Sequence, residues 1–228
     1  MFRKGVVGIC VLMGLVGCAT EVSLKQQREA NEHYQLGGSY LQTDHQRAIV
    51  LLEQAIDLNP NHREAHLELG VIYGKRGRLD AGEEHYKQAI RIDSDYSEAH
   101  NNLGTVYARQ ARWDEAIEEY RKALENPRYP LSDSAYYNLA RALSQIEKYD
   151  EALIALRNAS LVVPLAMPMV LIHQEFGRLY EKVGEIELAR ASYQEAIEAD
   201  NQGTYREQLE NYLRDLEVMF REEESPQL

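Results

Sequence analysis

The chain has 228 residues, room for one extended domain or two small ones, and carries 37 Asp and Glu against 25 Lys and Arg, a net charge of −12. That balance suits a soluble body with a charged surface and repels phosphate backbones, which removes nucleic acid from the partner classes.

Residues 1–17 depart from this composition. Arg3 and Lys4 precede an uncharged apolar run from Val6 to Val16, the plan of a secretory signal peptide. The run is well short of the roughly 20 apolar residues that span a bilayer. It ends in Leu15, Val16, Gly17 and Cys18, which resembles the lipobox of bacterial lipoproteins. The resemblance implies cleavage before Cys18 and lipidation of its thiol, the nucleophile such a transfer needs. Several acyl chains on one residue, at about 0.8 kcal/mol per buried methylene, anchor a protein durably where a single chain does not. Ala19, where an Asp would retain the protein, implies by the same resemblance sorting to the outer membrane, with the body facing the periplasm. The other cysteine, Cys10, leaves with the leader, so stability must come from packing rather than a disulfide. Residues 18–29 then read as the lipidated cysteine and a short polar tether or frayed helix.

From residue 30 onward internal repetition dominates. Leu69, Gly70, Tyr73, Tyr86 and Ala89 recur 34 residues later as Leu103, Gly104, Tyr107, Tyr120 and Ala123. This period and pattern resemble the tetratricopeptide repeat, a pair of short helices. Five copies are expected. The first, 30–62, carries Leu36, Gly37, Tyr40, Ala48, Leu52, Ala55 and Pro60 and is one residue short at its inter-helix turn. The second and third are 63–96 and 97–130, the second with Gly82 where Ala is usual. The fourth, 133–166, carries Leu139, Ala140, Leu143, Ala152, Leu156, Ala159 and Pro164, its aromatics having become leucines; the fifth, 170–203, carries Phe176, Gly177, Tyr180, Ala189, Tyr193 and Ala196. Asn126 to Pro130 and Pro164 to Met169 read as lengthened junction loops. Tyr205, Leu209, Tyr212, Leu213, Leu216 and Phe220 follow helical spacing, predicting a capping helix over 204–222, and the tail 223–228 reads as disordered.

A two-helix unit cannot bury its apolar face alone, so the copies are expected to stack into an all-α, right-handed superhelix, an α-solenoid. Gly37, Gly70, Gly104, Ala140 and Gly177 mark close crossings within repeats; Ala55, Ala89, Ala123, Ala159 and Ala196 admit the next repeat.

Catalysis has no foothold in the motifs. There is no His-Glu-x-x-His, no Gly-x-Ser-x-Gly and no phosphate-binding Gly-x-x-x-x-Gly-Lys, so neither an enzyme nor a cofactor is expected. His62 and His66 lie four apart, as two ligands on one helix face would. Because His66 and His100 share a repeat position, both read better as packing residues, and no metal is expected. Glu83 with Glu84, and Glu118 with Glu119, are expected on a solvated outer face.

Binding is the expected function. A repeat superhelix lines its concave groove with the first helices, and phase places there Tyr34 and Leu41 from repeat one, Leu67, Val71 and Lys75 from repeat two, and Asn102, Thr105 and Arg109 from repeat three. Tyr137, Asn138, Arg141 and Arg178 continue the line, giving an inner face expected to be more basic than the outside. Asn102 and Asn138 hold one position in successive repeats; they either clamp a ligand backbone or bridge neighbouring helices. Tyr34, Leu41, Leu67 and Val71 form an apolar end, a second candidate surface.

Lipobox, repeats directly behind it, and the run Ala123 to Pro130 (Ala, Leu, Glu, Asn, Pro, Arg, Tyr, Pro) together resemble the type IV pilus biogenesis and stability lipoproteins, the PilF, PilW and Tgl pilotin family. That family commonly carries an Asn- or Asp-Pro-Arg-Tyr-Pro sequence between its third and fourth repeats. Its members often count six repeats, where only a helix follows the fifth here. The resemblance implies an outer-membrane adaptor that helps secretin subunits localise and multimerise. The alternative is a general envelope adaptor that docks peptidoglycan hydrolases or proteases. Oligomeric state is left open.

Overall fold

A computed structural model of the chain describes residues 22–224, which form eleven α-helices and no strand. The leader, Cys18 and residues 225–228 lie outside the described residues. In chain order the helices are α1 (Leu24–Ser39), α2 (His45–Leu58), α3 (Arg63–Lys75), α4 (Leu79–Ile92), α5 (Ser97–Arg109), α6 (Trp113–Ala123), α7 (Ser132–Gln145), α8 (Tyr149–Leu161), α9 (Met169–Val183), α10 (Ile186–Ala199) and α11 (Arg206–Glu224). The first ten make five short-looped pairs, and α11 closes the array.

Local chemistry sets the ends. The Ser23 hydroxyl accepts the Gln26 N–H at 3.2 Å while the Gln26 side chain accepts the Ser23 N–H at 3.1 Å, a reciprocal cap. The helix therefore starts at Leu24, and residues 24–29, expected as a tether or a frayed helix, belong to α1. At the other end α11 reaches Glu224, two residues past the expected limit. In repeats two to five the inter-helix turn holds a left-handed residue at one register: Gly77, Ala111, Glu147 and Gly184, with φ of 75°, 58°, 61° and 79°. The shortened first turn has none. There Asp44 caps α2 by accepting the N–H groups of Gln46 and Arg47, and Tyr40 and Leu41 pack back on the core.

A Cβ added at Gly70, Gly104 or Gly177 would meet the rings of Tyr86, Tyr120 and Tyr193 at 2.5, 2.8 and 2.4 Å, so each ring fills the space a side chain would take. Gly82 faces bare backbone as well: a Cβ there would lie 3.3 Å from the Gly70 carbonyl and 3.4 Å from the Gly74 nitrogen. From repeat two to repeat five one buried cluster runs through Leu67, Leu103, Leu139, Leu143, Leu156, Ile172 and Leu179, while repeat one packs on repeat two, and repeat five on α11, in clusters of their own. Each buried leucine contributes about 2 kcal/mol. Repeat five buries its last face under α11, where Leu209 and Leu216 are fully enclosed and Tyr212 stacks on Tyr193 at 5.2 Å.

The junctions are built rather than loose. Tyr129 packs with Ala123 and Ala135, and Asn126 accepts the Arg128 N–H. The fully buried Asp133 carboxylate accepts N–H bonds from Ala166 and Met167 at 2.6 and 2.7 Å, pinning the second junction to the start of α7.

First helices of successive repeats touch side by side, α3 with α5, α5 with α7 and α7 with α9, whereas second helices do not come comparably close. The array therefore curves with its first helices inside.

Candidate protein-binding groove

Repeat register arranges the inner face in rows. Gln35, Glu68, Asn102, Asn138 and Glu175 form one; Val71, Thr105, Arg141 and Arg178 form another. At the centre, a cavity of about 180 Å³ between α5, α6 and α7 is lined by Thr105, Ala108, Arg109, Trp113, Tyr120, Asn138, Arg141, Ala142 and Gln145. It joins four expected groove residues: Thr105, Arg109, Asn138 and Arg141.

Three of the four also brace the fold. Thr105 donates to the Asn101 carbonyl at 3.0 Å and accepts from the Tyr120 hydroxyl at 3.3 Å. Arg109 donates to the Gly74 carbonyl at 2.6 Å, tying α5 to α3. Asn138 donates to the Asn101 side-chain oxygen at 3.2 Å, bridging α7 to α5. The second of the two roles open to the asparagines thus holds for Asn138. Asn102 is half-buried and makes no side-chain hydrogen bond among the described residues. Lys75 and Arg141 are exposed, Arg141 with its guanidinium 5.7 Å from the Tyr137 ring centre.

The apolar end is corrected. Leu67 is only 4% exposed, because it fills the joint between repeats two and three with Tyr86 and Leu103. Leu41 sits in the first turn against its own repeat's core, and Val71 is half-buried against the main cluster. Tyr34 packs against His62 with the rings tilted by 42° and their centres 4.8 Å apart. Arg178 is drawn to the cap: it donates to the Tyr212 hydroxyl at 2.8 Å and pairs with Glu175 at 3.5 Å.

Nor is the inner face simply basic. Glu68 and Glu98, which the motif search passed over, are half-buried there. Burial pushes both carboxyls above the ordinary range; Glu98 raises Glu68 further and Lys75 partly offsets it. Register would have found Glu68, which shares its row with Asn102. On the outer side Glu84 and Glu118 are exposed as expected, but their neighbours turn inward. Glu83 bonds Lys87 and Arg112 at 2.6 and 2.9 Å, and Glu119 bonds His100 at 2.6 Å.

His62, His66, His85 and His100 are tied into the fold. His62 does not share a helix face with His66; its Nδ1 accepts the Ala65 N–H as the cap of α3. His66 faces His85 with their Nδ1 atoms 3.1 Å apart, the register equivalent of the His100–Glu119 pair. Among the described residues no group of three or more His, Cys, Asp or Glu could hold a metal ion, and no helix is long and apolar enough to cross a membrane.

Five stacked helix pairs with a groove on the inside define a helical-repeat scaffold, a class built for protein binding. Family models described as tetratricopeptide repeat match residues 33–62, 61–128, 95–160 and 172–202, and the chain belongs to the tetratricopeptide repeat family. The unmatched stretch between 160 and 172 contains the second junction. The structure is similar to that of Pseudomonas aeruginosa PilF (TM-score 0.67, 21% identity, covering 86% of this chain and 92% of that one). It is similar to PilW, described as a widely conserved type IV pilus biogenesis factor (0.69, 20%, 84% and 92%). MamA gives comparable values (0.65, 22%, 77% and 94%). At these identities the likeness shows the fold. No curated protein sequence matches the chain.

Proposed function

We propose that this chain is a lipid-anchored outer-membrane adaptor of the pilotin kind, which receives secretin subunits and promotes their assembly into multimers, and that it catalyses nothing itself. The observation that carries the reading is the junction from Asn126 to Pro130. Its sequence is the one the pilotin resemblance rests on, it lies between the third and fourth helix pairs, and its Tyr129 is built into the core. The likeness to PilF and PilW over nearly their whole lengths supports the same reading at the level of fold.

The reciprocal cap at Ser23 adds a geometric consequence. A lipid on Cys18 would be separated from the start of α1 by a segment that reaches at most about 20 Å, so the anchor would hold the first repeat close to the membrane.

Immunoblots for heat- and detergent-resistant secretin multimers in wild-type, deletion and Cys18→Ser envelopes test the proposal. Multimers are expected to disappear in the deletion strain while monomers persist, and to fall in Cys18→Ser. Unchanged multimers in the deletion strain would instead favour the general envelope adaptor.

A further inference from the structure

We propose that the cavity where repeat three meets repeat four is a receptor for an acidic side chain within a partner segment, with Arg109 and Arg141 as its cations and Trp113 as its aromatic wall. The proposal rests on the inner face being the protein-binding groove and specifies the ligand chemistry at its centre.

Size sets the first limit. The cavity measures about 180 Å³, and one of about 150 Å³ takes up a molecule the size of benzene. It therefore admits a single side chain and not a helix or a strand. Ala108 and Ala142, in its lining, leave that room where larger side chains would fill it.

Charge sets the second. Two arginines line the cavity and no carboxylate does, in a chain whose net charge is −12. Elsewhere Arg63, Arg112, Arg121 and Arg178 are each paired with an acid. Arg109 and Arg141 have no acidic partner among the described residues. The Gly74 carbonyl holds the Arg109 guanidinium in place without cancelling its charge, and leaves the rest of its five donors for a ligand. Arg141 is exposed, and its charge reaches the cavity wall: burial pushes the Tyr120 hydroxyl up to about 12, and the Thr105 bond and Arg141 pull against that rise.

Repeat register shows why this joint differs from its neighbours. Arg109 shares its row with Lys75 and Gln145, and Arg141 shares its row with Thr105 and Arg178. The joint of repeats two and three thus combines Lys75 with Thr105, and that of four and five combines Gln145 with Arg178, one cation each. Lys75 there partly offsets Glu68, and Arg178 pairs with Glu175. Between repeats three and four both rows supply an arginine. A carboxylate matches the planar fork of a guanidinium and forms charge-assisted hydrogen bonds with it, whereas an amide or hydroxyl would leave both charges uncompensated. The methylene stem of such a side chain has Trp113 to lie against.

The test reads Trp113, the one tryptophan of the chain. Its fluorescence is followed while an acetylated, amidated Gly-Ser-Glu repeat peptide, or the same peptide with glutamine for glutamate, is titrated into the full chain at physiological salt. Blocked ends leave side chains as the only carboxylates, and the net negative charge of the protein works against the probe, so binding must be local. The glutamate probe is expected to shift the emission saturably and the glutamine probe not to. Arg141→Gln is expected to weaken binding about tenfold or more, the worth of a hydrogen bond to a charged group. Arg157→Gln removes the same charge from an exposed position on α8 and is expected to change nothing. Both arginines are exposed, and an unchanged melting curve verifies folding. No saturable shift with the glutamate probe, equal responses to the two probes, or equal weakening by the two variants overturns the proposal. If the probe fails while secretin multimers still depend on the protein, this inference falls and the adaptor reading stands. If the probe binds as expected while multimers are unchanged by deletion, the adaptor reading falls and the receptor stands.

Discussion

Ala111 and Glu147 hold left-handed backbone where the equivalent turns carry Gly77 and Gly184. That conformation costs a residue with a Cβ roughly 1–2 kcal/mol, and glycine's extra freedom in the unfolded chain returns about 0.4–1 kcal/mol of the relief. Ala111→Gly is therefore expected to stabilise the protein by roughly 0.5–1 kcal/mol, seen as a higher urea midpoint at constant slope. The two asparagines separate in the same way. Asn138→Ala removes the bridge to Asn101 and should cost about 1 kcal/mol. Asn102→Ala breaks no hydrogen bond among the described residues, so its melting temperature should stay unchanged while ligand binding weakens. Much at this scale was not legible in the sequence. Asp133 looks like an ordinary helix-start acid, because the N–H groups it accepts are 33 and 34 residues away. The burial of Leu67 was hidden too, since its register position is not uniform: Asn101 and Gln174 are buried there while Tyr34 and Tyr137 stay partly exposed.

At the scale of elements, the helix pairs were legible because a 34-residue period fixes both helices of each repeat at once. The early start of α1 carried a readable signal as well, Ser23 followed by Gln26 three residues later, obscured by the polar composition around it. Comparing repeats also yields a pH prediction. Burial and then the neighbouring His66 push His85 down to about 4, and burial lowers His66 and His62. These bases fold neutral, so their stabilising contribution is complete above about pH 6.5 and is lost as pH falls from there toward 4. His100 is opposite. Burial would lower it, but Glu119 and the Ser94 carbonyl outweigh burial and raise it, so its contribution is present below its unfolded value and lost as pH rises through the raised one. His85→Glu gives repeat two the His–Glu pair of repeat three. The variant should lose less melting temperature than wild type between pH 7 and pH 5; an identical loss would show that the His66–His85 pair does not set the acid sensitivity.

Across the whole molecule, the repeats supply a curved scaffold, the cap ends it, and the inside of the curve collects the polar residues not consumed by packing. Fold class and the existence of the groove could be read from periodicity alone. The electrostatics of the groove could not, because they depend on which side chains the braces consume: Arg109 and Arg178 look free in sequence and are bound in the structure. The proposed adaptor role is tested most directly by site-specific photo-crosslinking in cells that assemble pili. A photoreactive residue replaces either Arg141 on the inner face or Arg121 on α6, both exposed, and adducts are detected with antibody to the secretin. An adduct from position 141 and none from 121 is the expected result. An adduct from 121 alone, or from neither, would contradict the inner groove as the docking surface for that partner.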